Sequence, residues 1–159
     1  MKNQGTRKLN LRVQWILVAQ RAGAKLYQSS PAGTHLKLLR DIPHPKGRLK
    51  DRDLISDKAG RMFSNQAGSP ARSATDGEKS AHDHDAEVFA LELARILDQG
   101  RTQNSYDQVV LVAEPGFLGK LQAVLSKPTA DKVNGVYEKE LTKMTEHELT
   151  LRLSSLMAA

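Results

Sequence analysis

The clearest pattern along the chain is an apolar run that passes directly into a helical pattern. Val109 to Val112 form an unbroken apolar segment, as in a strand that is covered on both faces. After Glu114-Pro115-Gly116, apolar residues recur at helical spacing from Phe117 to Leu125. Pro115 suits a first helical turn because its missing N–H needs no partner there. The pattern predicts a central strand, a tight turn and a helix as one unit.

Strand patterns also precede this unit. Apolar and alternating residues predict strands at Val13 to Ala19, Ala24 to Gln28 and Thr34 to Arg40. The connections between them are short and rich in turn-forming residues, which favours hairpins. We therefore expect these strands to form an antiparallel meander.

Helical patterns flank the central strand and close the chain. A helix is predicted to begin near His84, with Asp83 as its N-cap and Gly100 at its end. A weaker strand follows at Val133 to Tyr137, and the capping box from Thr145 to Glu148 predicts a C-terminal helix. This order predicts an α/β fold with one mixed sheet of about five strands, a three-strand antiparallel meander followed by αβαβα, as in the ribonuclease-H-like architecture.

A long polar stretch interrupts the pattern between the meander and the first long helix. Residues 41 to 81 contain many Pro, Gly and charged residues and show no periodicity, which is typical of a functional or disordered loop. We predict a basic flexible tail at residues 1–12 and a single α/β domain at residues 13–157, into which the loop 41–82 is inserted.

Composition narrows the class of protein. The chain has 159 residues, of which 39% are hydrophobic, and it contains no cysteine, so disulfides, thiolate nucleophiles and Cys-ligated zinc are excluded. The first apolar run, Trp15 to Ala19, is too short for a signal-peptide core or a membrane span. We expect a cytoplasmic protein with no membrane insertion and no cofactor.

Positive charge is concentrated in the first part of the chain. Residues 1–60 contain 13 Lys/Arg against 4 Asp/Glu, whereas residues 81–159 contain 8 against 12. This asymmetry favours a polyanionic partner such as RNA, although solubility also explains an excess of basic residues. The predicted nucleic-acid contacts are Lys46, Arg48, Lys50, Arg52, Lys58, Arg61 and Arg72, with Asn65 and Gln66 at the loop tip. Asp51, Asp53 and Asp57 partly neutralise this loop, and no sequence-specific readout of DNA is expected.

The sequence gives little support for catalysis. The first strand has no carboxylate for a two-metal site, and the chain lacks the Gly-x-Ser-x-Gly, Walker and dinucleotide-binding motifs. His82 and His84 are weak metal candidates, since two imidazoles at this spacing converge only on an extended segment. We expect no metal site and no catalytic residue, and a non-enzymatic protein is favoured.

Local strings in the same order resemble the bacterial host-attachment protein family. They are Trp15 to Ala19 with Arg21 to Ala24, His44-Pro45, Asp53 to Arg61, His84 to Ala90, Val109 to Gly119 and Lys139 to Thr142. The family is also similar to the middle domain of archaeal and eukaryotic class-I peptide-chain release factors. That resemblance implies the same mixed sheet.

The resemblance does not imply that this chain has the activity of the release factors. In those factors the loop before the long helix contains Gly-Gly-Gln, which occurs nowhere in this chain. Gln20 also departs from the acid that the family often has after the first strand. The leading hypothesis is a non-enzymatic RNA- or ribosome-associated factor. The alternatives are a protein-interaction module involved in attachment to host cells, with a protein partner, and a metal-dependent hydrolase or nuclease.

Overall fold

A computed structural model describes residues 12–29, 35–48, 73–139, 141 and 144–158. The strands of these residues are β1 (Gln14–Gln20), β2 (Gly23–Ser29), β3 (Leu36–Pro43), β4 (Gln108–Ala113) and β5 (Val133–Glu138). The helices are a 3₁₀ helix (Pro45–Arg48), α1 (Ser73–Thr102), α2 (Pro115–Val124), α3 (Lys127–Ala130) and α4 (Glu146–Ala158).

The strands form a mixed sheet in the order β3-β2-β1-β4-β5. β1 and β2 are antiparallel, as are β2 and β3, whereas β4 is parallel to both β1 and β5. Leu17 of β1 lies opposite Leu26 on one side and Leu111 on the other. The predicted α/β class, meander and mixed sheet are confirmed, and β1 and β4 form the centre of the sheet.

Both faces of the central strands are buried, which explains their continuous apolar sequence. Leu17 and Leu111 point to the face that α1 and α2 cover, and Phe89 of α1 packs there. Ile16 points to the opposite face, where Leu149 of α4 covers it. A fully buried leucine or phenylalanine contributes about 1.5–3 kcal/mol to folding. The strand pattern therefore arises from burial against helices on both sides.

The first long helix differs from the prediction at both ends. α1 begins at Ser73, so Asp83 lies in the helix interior and is not its N-cap. The residues before His84 are polar and lack an apolar stripe, and periodicity therefore gave no signal for this part of the helix. The helix also continues past Gly100 to Thr102, and Asn104, with φ of 53°, supplies the left-handed residue that ends it.

Smaller elements also depart from the sequence pattern. β3 runs to Pro43 and the 3₁₀ helix follows it, so the irregular segment predicted for residues 41–82 is ordered at both of its ends. The short helix α3 was not predicted. The predicted capping box is confirmed, because the Thr145 amide donates to Glu148 at 3.0 Å and the Glu148 amide donates to the Thr145 hydroxyl at 3.3 Å. No helix within the described residues is long and apolar enough to span a membrane.

Candidate functional site

The carboxyl ends of β1 and β4 meet at one edge of the sheet, and the chain leaves them in opposite directions. β1 turns through Arg21 and Ala22 into β2, whereas β4 passes through Glu114 into α2 and then to β5 on the other side. In open α/β sheets, a crevice at such a point is the usual place for a ligand. This edge is therefore the candidate site.

Charged side chains from the turn and the helices gather at this edge. Arg21 lies with its Nη2 3.7 Å from Asp83 Oδ1 and its Nε 3.4 Å from Glu114 Oε1. Lys120 Nζ lies 3.6 Å from the same Asp83 oxygen and 3.7 Å from Glu87 Oε1. These five residues, Arg21, Asp83, Glu87, Glu114 and Lys120, are called the carboxyl-edge cluster below. All five are partly exposed, so each pair is weak and can exchange partners.

Local structure explains why these side chains meet. Glu114 occupies the N-cap position of α2, with φ of −61° and ψ of 147°, but its side chain makes no capping hydrogen bond. Its carboxylate is instead directed to Arg21. Asp83 and Glu87 are one turn apart on α1 and therefore share a face of that helix. A Cβ at Gly116 would stand 3.8 Å from Arg21 Nη2, so the guanidinium lies beside the first turn of α2.

The 3₁₀ helix is docked onto the same edge. The His44 amide donates to the Ala22 carbonyl at 3.1 Å, and the Gly47 amide donates to the His44 carbonyl at 3.1 Å. A side chain at Gly47 would collide with the backbone carbonyl of Arg21. The absence of a side chain at Gly47 therefore allows the start of the basic segment to lie directly on the β1–β2 turn.

His44 anchors this docking through its ring. The imidazole stacks on Phe89 with a centroid distance of 4.4 Å and an interplanar angle of 11°. Its Nε2 is buried and has no hydrogen-bond partner among the described residues. Burial lowers the pKa of His44, and the opposing effects of Asp85 and Glu92 are smaller. The neutral imidazole is the form that fits this packing, because a charge on Nε2 would be buried without an acceptor.

The structure describes only part of the predicted nucleic-acid site. Lys46 is exposed in the 3₁₀ helix, and Arg48 is the last residue of that helix. The other predicted contacts lie outside the described residues; they are Lys50, Arg52, Lys58, Arg61 and Arg72, together with Asn65 and Gln66 at the expected loop tip. The predicted contacts therefore begin beside the carboxyl-edge cluster.

The weak metal candidates lie on a regular helix. His82 and His84 are both within α1, where residues two positions apart project about 200° from each other. The extended geometry that would bring the two imidazoles together is thus not adopted. In the described ranges, no group of three or more His, Cys, Asp or Glu side chains could hold a metal ion.

Sequence reasoning missed the two cations of the carboxyl-edge cluster. Arg21 directly follows the first buried strand and Glu114 directly follows the central one. Opposite charges directly after two buried strands indicate such a pair only where the strands are parallel neighbours, and the sequence prediction did not give the order of the strands in the sheet. Lys120 had no such signal, because only the packing of α2 against α1 brings it near Asp83 and Glu87.

Comparison with known proteins gives a family match and a distant structural likeness. Residues 15–153 match the family model described as "Protein required for attachment to host cells". No curated protein matches the sequence. The chain is similar to the crystal structure of an archaeal translation termination factor at 11% identity, with a TM-score of 0.45, covering 94% of this chain and 40% of that one. A second structure, described only as an archaeal protein, has 10% identity and a TM-score of 0.46, covering 94% and 39%. The chain spans about two-fifths of the length of these two proteins.

Proposed function

We propose that this chain, which belongs to the family of proteins required for attachment to host cells, is a non-enzymatic factor that binds RNA, including RNA in ribosomes. The contact is the basic segment that begins in the 3₁₀ helix. Residues 46–72 contain seven Lys/Arg and three Asp, a net charge of +4. An association of this kind implies a cytoplasmic location.

The observation that carries the proposal is the docking of the 3₁₀ helix beside Arg21. The segment starts at the carboxyl edge of the sheet, where Lys46 is exposed and Gly47 packs against the Arg21 backbone. Arg21 and Lys120 are paired there with carboxylates at 3.4 to 3.7 Å. Weak, partly exposed pairs of this kind allow a phosphate to replace a carboxylate as the partner of either cation. Arg21 thus lies beside the start of the basic segment, while the carboxyl-edge cluster as a whole, with two cations and three carboxylates, carries a net charge of −1.

The first experiment measures binding of a fluorescently labelled single-stranded RNA by anisotropy at several salt concentrations. The Lys46→Glu/Arg48→Glu variant should bind more weakly. Its plot of log K against log salt should be shallower by about 1.4, since each lost phosphate contact removes about 0.7 from the slope for single strands.

The matched control is Lys127→Glu/Lys132→Glu, at the opposite edge of the sheet, beside the start of β5. Both double variants lower the net charge from +6 to +2. A general charge effect would therefore weaken RNA binding equally in the two variants. Equal loss in both variants contradicts the proposal.

Sedimentation then tests association with ribosomes. The wild-type protein should migrate with ribosomal fractions in a low-salt sucrose gradient and return to the top of the gradient at high salt. A protein that stays at the top in low salt contradicts ribosome association.

A protein-interaction role in attachment is the second candidate, and one surface feature favours it. Val88 and Leu91, one turn apart on α1, are 49% and 43% exposed. Together they form a small exposed apolar surface on one face of the helix, which a protein partner would cover. A pull-down that retains the same partners after RNase treatment, and loses them in Val88→Ser/Leu91→Ser, would support this role. Partners lost on RNase treatment would favour RNA binding instead.

A further inference from the structure

The outer edge of β3 has no partner strand in the part of the chain that the structure describes. β3 stands at one end of the sheet and pairs there with β2 alone. Every second residue of an antiparallel edge strand directs its N–H and C=O groups away from its neighbour. These outward groups are free to pair with a further strand.

A bulge in β3 sorts the side chains of this edge. Lys37 and Arg40 lie opposite β2 residues that are two positions apart, so they point to the same face of the sheet. In a regular strand their spacing would place them on opposite faces. Leu39, between them, has no partner on β2 and packs against the core. The bulge therefore places two cations side by side on one face.

This face is the one that α1 covers, because Arg40 lies opposite Leu26 of the core beneath α1. Both cations are exposed, and neither forms an ion pair with another described residue. Arg40 also lines a groove of about 250 Å³ between β3 and α1, where its polar neighbours are Gln99 and Gln103. The described lining of the groove contains no carboxylate. This side of the edge therefore suits anionic side chains.

The first half of β3 is apolar on the opposite face. Leu38 lies opposite Tyr27, which is buried in the core cluster beneath α4, and Leu36 packs against the same cluster. Leu38 is nevertheless 38% exposed. Side chains directly opposite each other on neighbouring strands pack together, so an apolar residue on an added strand would cover Leu38.

We propose that β3 binds an extended acidic segment of another protein as an added strand. The backbone of that segment pairs with the outward groups of β3. Its acidic side chains lie beside Lys37 and Arg40, and the apolar residues that alternate with them cover Leu36 and Leu38.

The charges on the two open edges select this occupant. A second copy of this chain would be repelled in an antiparallel edge-to-edge pair, because the cations of both copies would share one face. β5, at the other end of the sheet, contains no Lys or Arg. An acidic strand is therefore attracted to β3 rather than to β5.

The probe is the acetylated and amidated hexapeptide Glu-Val-Glu-Val-Glu-Val, titrated into ¹⁵N-labelled protein. The amide cross-peaks of Leu36 to Ile42 should shift, and alternate amides among them should exchange more slowly with deuterium. The amides of β5 are the internal control and should not change. Unchanged β3 amides, or changes confined to β5, overturn the proposal. Protection of β3 that rises with protein concentration in the absence of peptide would assign the edge to a second copy and overturns it as well.

A peptide control separates strand pairing from charge attraction. The same hexapeptide with every amide nitrogen methylated keeps its side chains and charge but donates no main-chain hydrogen bond. It should neither shift nor protect the β3 amides. If it binds as well as the unmethylated peptide, charge alone accounts for the contact and the added strand is refuted.

Charge reversal tests the two cations. Lys37→Glu/Arg40→Glu should weaken binding of the acidic peptide about tenfold. It should in turn bind Lys-Val-Lys-Val-Lys-Val, a gain that also shows that the variant is folded. The matched control is Lys132→Glu/Lys139→Glu, which makes the same charge change beside the two ends of β5 and should leave the affinity unchanged. Equal losses in the two variants contradict the role of Lys37 and Arg40.

This proposal is independent of RNA binding by the basic segment. Lys37 and Arg40 lie outside residues 46–72, so the peptide titration and the RNA anisotropy measurement can fail separately. Single-stranded RNA that shifts the β3 amides as strongly as the acidic peptide does would assign these two cations to RNA and overturn the proposal.

Discussion

Replacing Gly100 with alanine tests whether this glycine is present to accommodate an aromatic ring. A Cβ at this position would stand 2.5 Å from Trp15 Cη2 and Cζ3 and 3.1 Å from Tyr106 Cε1. Neither ring can retreat easily, because both are buried and lie 4.6 Å apart. Overpacking of this kind destabilises a protein by about 1–3 kcal/mol, and a fixed ring favours the upper end of that range.

The helix propensity of alanine partly offsets this destabilisation, because alanine stabilises a helix interior by about 1 kcal/mol relative to glycine. The net loss expected for Gly100→Ala is about 2 kcal/mol in the free energy of unfolding. For a chain of this size, that loss lowers Tm by about 4–8 °C. Thermal unfolding followed by far-UV circular dichroism measures the shift.

Gly119→Ala is the matched control, because it makes the same change inside α2. A Cβ there would meet no atom within 4 Å, so only the helix propensity changes. The control variant should gain about 0.5–1 kcal/mol and its Tm should rise. If Gly100→Ala is as stable as the control, the close contact between Gly100 and Trp15 is absent and the reasoning fails.

Three further predictions concern caps and titrating groups. Thr145→Ala removes the hydroxyl that caps α4 and one of the hydrogen bonds that lower the pKa of Glu148. We expect Tm to fall by about 2–4 °C. An unchanged Tm in calorimetry would contradict the capping role. Burial lowers the pKa of His44, so the unfolded chain takes up its proton first and stability falls as pH drops below about 6.5. Urea unfolding at pH 7.5 and 5.5 should show a smaller decrease for His44→Phe than for the wild type, and equal decreases would refute the assignment. Hydrogen bonds, the strongest from Arg101, lower the pKa of Asp98. The contribution of Asp98 to stability is therefore present above the ordinary Asp pKa and is lost in acid. Asp98→Asn should lose less stability between pH 7 and pH 3 than the wild type, and an identical loss would argue against these hydrogen bonds to Asp98.

Short sequence patterns predicted the helices and strands whose formation depends on residues that are close together in the chain. The apolar run Val109–Val112 marked the buried central strand, and Pro115 marked the first turn of α2. The capping box at Thr145 and Glu148 marked the start of α4 to within one residue. These signals were sufficient because burial on both faces and capping each depend on a few neighbouring residues.

The missed features depend on residues that are distant in sequence. Helix α1 begins before its apolar stripe, and Asn104, rather than Gly100, ends it. Gly100 resembled a helix terminator in the sequence, but its role is set by Trp15, 85 positions earlier in the chain. No local pattern contains that contact.

The sequence by itself determined the α/β class, the order of the strands along the chain, the family and the excess of positive charge in the first part of the chain. Only the tertiary structure decided that Arg21, Asp83, Glu114 and Lys120 share one edge of the sheet and that the basic segment begins there. It also decided that the buried indole N–H of Trp15, beneath α1, has no acceptor among the described residues. Secondary structure follows from periodic patterns of residues that are close in sequence. A site, by contrast, requires side chains from separate elements to come together. The order of strands in the sheet and the packing of the helices decide which side chains meet.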